Sequence, residues 1–300
     1  MDEWRAPGPE AGTDRRQPGA GEGAGLPPAL HAGPPTGWWV GRRGLRIGAH
    51  RGDCETAPEN TMAAFAAAAA AGADYVEFDV QRSADGVLVV IHDPTLERTT
   101  DGHGPVADRT AAELLRLDAG GWFAPAHAGE RIPLFEAVLE WLSGLPSLAG
   151  MVEIKAPGLG AEIAGRLARL PFRDRLAVCS FSPEELSAAR RVDEGLPRFL
   201  IAPRGPRPPE LAGLVASARR GHADGVNLPW SWLDADLVAR LHDAGLMVGA
   251  GTANQAEVVE RLVRLGVDFV DSDRPRLAVA ARDGAPVGRG GDRHPGPDHP

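Results

Sequence analysis

Short apolar runs recur along this chain, each followed by a stretch with helical periodicity, and that alternation narrows the fold more than any other feature. Eight runs qualify as strands, at residues 46–49, 75–79, 151–154, 177–180, 198–201, 225–228, 246–250 and 268–271. Strands alternating with helices predict βαβ units around a parallel sheet, and eight is the number that closes such a sheet into a barrel. A ninth run at 87–91 follows the second closely, with Ser83, Ala84, Asp85 and Gly86 directly before it. So short a connection leaves no room for a parallel crossover, and this run must turn back as a hairpin. The expected fold is α/β: a (β/α)8 TIM barrel with an extra hairpin strand and a small capping insertion after the second strand. The 300 residues, 43% of them hydrophobic, suffice to fill its core.

The helix after the first strand is the best signalled. Asn60 or Thr61 is its expected N-cap, the alanine-rich run 63–71 propagates it, and Gly72 ends it. Its N-terminus then faces the C-terminal end of the strand. Residues 94–132 are far longer than a plain barrel connection, which marks a lid or substrate-binding insertion. Residues 1–43 are rich in Gly, Pro, Ala and charge without hydrophobic periodicity, and 281–300 repeat that composition. Both read as disordered ends flanking a barrel domain at 44–280. Trp38 and Trp39 stand apart, because two adjacent indoles just before a strand are expected to pack against the domain.

Chemistry-bearing residues gather at the strand ends. Glu77 and Asp79 lie two apart on YVEFDV, so both side chains point to the same side of the strand, which near its C-terminal end is the barrel mouth. Glu153 and Lys155 in MVEIK repeat the geometry. Carboxylates crowded together in a partly buried place need a cation or strong donors. All-oxygen ligation fits Mg²⁺ or Ca²⁺, whereas Zn²⁺ would want His or Cys at close spacing. The plainer alternative is a salt-bridge network with Lys155 and Arg51. His50 and His92 each end an apolar run, where imidazoles suit proton transfer near neutral pH. Arg51 offers a bidentate fork to a phosphate, and Lys155 a compact charge for a developing oxyanion.

Other residues weigh less. Cys54 lies close in sequence to His50 without a sign of activation. Cys54 and Cys179 match no metal or redox spacing and suit a reducing compartment. His103, His127, His222 and His242 have no matching ligand spacing, and neither nucleotide-binding glycine motif occurs. A net charge of −9 offers no footprint for nucleic acid. No stretch has the apolar length of a membrane span, and the N-terminus lacks the features of a signal peptide. The expected location is cytoplasmic, with no stable membrane insertion.

From Leu45 to Pro275 the sequence resembles the glycerophosphodiester phosphodiesterase family, one of the barrel phosphodiesterases that include phosphatidylinositol-specific phospholipases C. The resemblance rests on HRGDCETAPENT from His50, GADYVEFDVQRSADGVLVVIHD from Gly72, then ERTTDGHG, RIPLFEAVL from Arg131, VEIK from Val152 and GVDFVDSDRP from Gly266. It implies metal-dependent hydrolysis of a small-molecule glycerophosphodiester to sn-glycerol 3-phosphate and an alcohol. It further implies that His50 and His92 are the acid and base, that Glu77, Asp79 and Glu153 hold the divalent cation, and that Arg51 and Lys155 contact the phosphate. Two rival activities are a lysophospholipase D-like or cyclising phosphodiesterase on the same barrel, and a non-catalytic barrel that binds its ligand. One departure stands out: where the family usually has a tryptophan at the end of the penultimate strand, this chain has Gly251, followed by Thr252, Ala253 and Asn254. Trp230 and Trp232 in the neighbouring loop are the candidates to fill the space.

Overall fold

The structure, a computed structural model, describes residues 38–39, 44–203, 205 and 207–285. The rest of the expected extension, and the expected tail beyond 285, lie outside the described residues. In chain order the main elements are β1 (Arg46–His50), α1 (Met62–Ala70), β2 (Tyr75–Arg82), β3 (Leu88–Val90), α2 (Ala111–Leu114), α3 (Phe135–Ser143), β4 (Ala149–Ile154) and α4 (Gly160–Leu167). There follow β5 (Leu176–Ser180), α5 (Pro183–Val192), β6 (Arg198–Ile201), α6 (Leu211–Gly221), β7 (Gly225–Pro229), α7 (Ala235–Asp243), β8 (Met247–Gly251), α8 (Ala256–Leu265), β9 (Phe269–Ser272) and α9 (Pro275–Arg282).

Eight of the nine strands among the described residues close on themselves in the order β1-β2-β4-β5-β6-β7-β8-β9, with β9 returning to β1, and every one of these pairings is parallel. The ninth, β3, pairs antiparallel with β2 through Val80↔Val90 and Arg82↔Leu88. The expected barrel and hairpin are therefore what the chain forms. Strand limits differ from the expectation where pairing rather than composition sets them. β2 runs on to Arg82 because β3 takes over the edge that β1 leaves after His50↔Glu77. Residue 268 falls just before β9, where its backbone N–H donates to the Val248 carbonyl at 2.8 Å and its carboxylate accepts the Val248 backbone N–H at 2.7 Å.

Two cores hold the barrel. The outer one lies between strands and helices, and it buries the apolar stripe of each helix, such as Val258, Val259 and Leu262 of α8. The inner one fills the lower barrel with Tyr75, Met151, Cys179, Phe199 and Phe269, and Trp39 enters it from below, fully buried. Its indole N–H donates to the Arg175 carbonyl at 3.2 Å, just before the start of β5, which fixes it at the N-terminal end of the strands. Small residues make room for the rings. A Cβ on Gly48 would lie 2.1 Å from the Tyr75 ring, and one on Gly249 the same distance from Phe269.

Thr61 caps α1 by accepting the Ala64 N–H at 3.3 Å, and Gly72 closes it at φ +82. The expected insertion at 94–132 carries two short 3-10 turns and α2, which begins in a capping box between Thr110 and Glu113. It has its own small core of Leu96, Val106, Leu114, Ala119 and Ile132 against Val89 and Ile91 around β3. His127 reaches from it to the Thr56 carbonyl, 3.1 Å away in the β1–α1 loop. The insertion thus leans on the mouth of the barrel.

Candidate active site

All seven residues singled out in the sequence come together at the C-terminal mouth. Strand register does most of the work: His50 lies opposite Glu77, and Asp79 opposite Glu153. One carboxylate oxygen from each of Glu77, Asp79 and Glu153 lies within 4.8 Å of the others, and all three residues are buried. Lys155, just past β4, places its ammonium 2.8 Å from Glu153 and 3.2 Å from Asp79. Arg51 sits 3.3 Å from Asp79 through Nε and 2.9 Å from Glu59 through one terminal nitrogen.

The β1–α1 turn is bent to serve these contacts. Arg51 adopts φ +58 and donates its backbone N–H to Glu77 at 3.0 Å. Gly52 follows at φ +93, where a Cβ would lie 2.6 Å from that of Ala64. Asn60, at φ +56, donates its amide to Asp79 at 2.6 Å. Non-glycine residues in the left-handed region are costly and cluster at functional sites. Here both belong to the loop that grips the acids.

The charges do not balance within the cluster. Burial opposes ionisation of Asp79, but Lys155 and Arg51 outweigh it and hold the carboxyl well below its ordinary range. Burial also opposes the charges of Arg51 and Lys155, yet the acids around them win and hold both cations charged. Glu153 is pushed up to about 7 by burial, with Asp79 adding repulsion against the relief from Lys155. Glu77 is raised well above the ordinary carboxylate range, by burial and then by Asp79, Glu153 and Asp271. Its Oε1 is buried and lacks a hydrogen-bond partner among the described residues. The salt-bridge alternative therefore accounts for Asp79 and Glu153 but leaves Glu77 over. Three hard oxygen donors with one of them orphaned fit a divalent cation.

Each histidine is held by a carboxylate through the same nitrogen. His50 Nδ1 lies 2.7 Å from Asp273, and His92 Nδ1 lies 2.6 Å from Asp93. Burial raises Asp273, but His50 and Asn254 bring it down to about 2. Asp93 is likewise held far down, by His92 and Arg98 against burial. An ionised carboxylate can only accept, so Nδ1 carries the proton in both pairs and Nε2 is left for chemistry. Burial lowers the pKa of His92, and Asp93 offsets that only in part.

Asp273, Asp93, Glu59, Arg98 and Asn60 are site residues that sequence reasoning did not nominate. Asp271 lies one level deeper, accepting Tyr75 at 2.6 Å and Asn227 at 2.5 Å. Most of them sit inside the quoted motifs, but nothing in the spacing says which acid meets which base. Cys54 donates to the His50 carbonyl at 3.2 Å and its thiol is raised by burial, as suits a bystander, and both cysteines are free. A Cβ on Gly251 would point at Asp271 and Asn227, inside the barrel. Trp232 instead donates to Gly205 at 3.2 Å, and with Trp230 it packs against the outer core.

These features define a barrel phosphodiesterase, and comparison with known proteins gives the family. Residues 50–277 match the glycerophosphoryl diester phosphodiesterase family. A glycerophosphodiester phosphodiesterase of Caldanaerobacter subterraneus is 35% identical over 77% of this chain and 95% of its own. The crystal structure of a glycerophosphodiester phosphodiesterase from Agrobacterium tumefaciens superposes with a TM-score of 0.69 at 32% identity, over 79% of this chain and 99% of the other. An Oleispira antarctica phosphodiesterase, solved with the product sn-glycerol-3-phosphate, gives 0.71 at 31%, over 80% and 97%. The chain belongs to the glycerophosphoryl diester phosphodiesterase family and is a phosphoric diester hydrolase. Among the described residues no helix is long and apolar enough to cross a membrane.

Proposed function

We propose that this enzyme hydrolyses small glycerophosphodiesters to sn-glycerol 3-phosphate and an alcohol, with a divalent cation, Mg²⁺ or Ca²⁺, held by Glu77, Asp79 and Glu153. The observation that carries this reading is the orphaned, buried Glu77 Oε1 in a cluster of three acids, flanked by two carboxylate-held imidazoles. The product bound to the Oleispira relative supports the substrate class. A bound cation would neutralise the diester and stabilise charge on its oxygens. Arg51 and Lys155 bind the phosphate from the two sides of Asp79. One of His50 and His92 takes the proton from the attacking hydroxyl through Nε2, and the other, protonated, gives one to the leaving alkoxide. Asp273 and Asp93 keep both rings in the orientation and tautomer that this exchange requires. The attacking hydroxyl belongs either to water or to the glycerol itself, the second route passing through a cyclic phosphate. A cytoplasmic location goes with this reading, supported by two free thiols.

A second reading, hydrolysis of lysophospholipids, is favoured by Gly251, which presents no side chain on an inward-facing position where the family usually has tryptophan. One assay separates them. Release of glycerol 3-phosphate from glycerophosphocholine and glycerophosphoethanolamine, requiring Mg²⁺ or Ca²⁺ and abolished by EDTA, is the expected result. Turnover of lysophosphatidylcholine alone favours the second reading, and full activity in EDTA contradicts the cation site. His50→Ala and His92→Ala should each lower kcat by roughly 100-fold or more while Mg²⁺ binding by calorimetry is retained.

A further inference from the structure

Arg98 belongs to the insertion, in the ERTT motif, and no step of the proposed chemistry uses it. Its guanidinium grips two carboxylates at once. The terminal nitrogens bond Glu59 at 2.7 and 2.8 Å, while Nε and one terminal nitrogen bond Asp93 at 2.6 and 2.9 Å. Neither acid is idle. Glu59 also receives Arg51 at 2.9 Å, and Asp93 holds His92 at 2.6 Å. The result is a continuous row of alternating charge, running from Arg51 through Glu59 and Arg98 to Asp93, and ending on the His92 imidazole. Glu59 and Asp93 are both mostly buried, with 11% and 23% of their side chains exposed. Burial works against their ionisation, and the Arg98 hydrogen bonds are the first of the contacts that overcome it at Glu59. At Asp93 they come directly after that of His92.

We infer that Arg98 is a positioning residue that ties the insertion to both arms of the site, fixing the His92 imidazole through Asp93 and the Arg51 guanidinium through Glu59. A planar guanidinium can do this because its five donors diverge in a rigid fork, which an ammonium cannot match. Without it, the Asp93 carboxylate loses two of its three hydrogen bonds and the His92 ring its fixed support, while Glu59 retains only Arg51. The inference rests on the roles given above to His92 and Arg51.

Each arm has its own kinetic signature. Asp93→Asn should lower kcat about 10- to 100-fold with little change in KM, because it disturbs proton transfer. Glu59→Gln should raise KM several-fold, because it loosens a phosphate-binding group. Arg98→Ala should do both. In the Arg98→Ala background, Asp93→Asn should add little further loss in kcat, since both changes break one chain, and guanidinium ion in the buffer should restore part of the rate. If Arg98→Ala melts below the assay temperature, Arg98→Lys carries the test: it keeps the charge but cannot hold both acids, so kcat falls and KM rises together. Wild-type constants for Arg98→Ala or Arg98→Lys, or full additivity with Asp93→Asn, overturn the inference alone. A wild-type enzyme idle on every diester, or a His92→Ala variant at full rate, overturns the reading beneath it and the inference with it.

Discussion

The imidazole of His92 lies between opposing influences, and their order can be measured. Burial disfavours its charged form, while Asp93 favours it, and burial wins. An NMR titration of His92 should give a pKa below the ordinary value of 6.5, and Asp93→Asn should lower it further. A wild-type value above 6.5 would contradict the balance described. The sign carries over to folding. The unfolded chain takes up this proton more readily than the folded one, so the contribution of His92 to stability is present above the ordinary imidazole pKa and shrinks as pH falls through it. How far such residues can be read from sequence depends on what defines them. His50, Glu77, Asp79, His92, Glu153 and Lys155 were legible because each lies in or just after an apolar run that forms a strand, where alternation dictates direction. Asp273 was not, because it meets His50 across 223 positions of chain, and no local pattern encodes a pairing made only when the barrel closes.

Among the elements, strands were legible from apolar composition and their ends were not, because an end depends on which neighbour continues the ladder. β2 overruns the expected limit by the length that β3 can pair. The insertion was legible from length alone, its role at the mouth only from contacts such as His127 to Thr56. Inside the barrel, large and small residues alternate so tightly that a methyl group is too much. Gly249→Ala places a Cβ 2.1 Å from the Phe269 ring, and it should destabilise the fold by about 1–3 kcal/mol in urea unfolding, as overpacking does. Adding Phe269→Leu should recover part of the loss if crowding is its cause. Simple additivity of the two would point elsewhere.

For the molecule as a whole, the barrel number and the site at its C-terminal end followed from counting strands, since closure leaves few alternatives. The sealing of the lower end needed the structure. Trp39 is fully buried there among Tyr75, Phe199 and Phe269, at ring-centroid distances of 5.0, 5.4 and 6.5 Å. Trp39→Ala should cost roughly 3–5 kcal/mol, the range for emptying a large buried aromatic site, as judged by chemical denaturation, with the acidic cluster at the opposite end of the strands left intact. Its position also separates two boundaries that are easily confused. The match to the family as a whole begins at residue 50, the last residue of β1, whereas the stopper of the barrel is supplied from upstream of that strand. An expression clone trimmed to the recognisable stretch would keep every residue assigned to chemistry and yet yield an open-bottomed barrel, short of both a sheet edge and the ring that excludes water from beneath it.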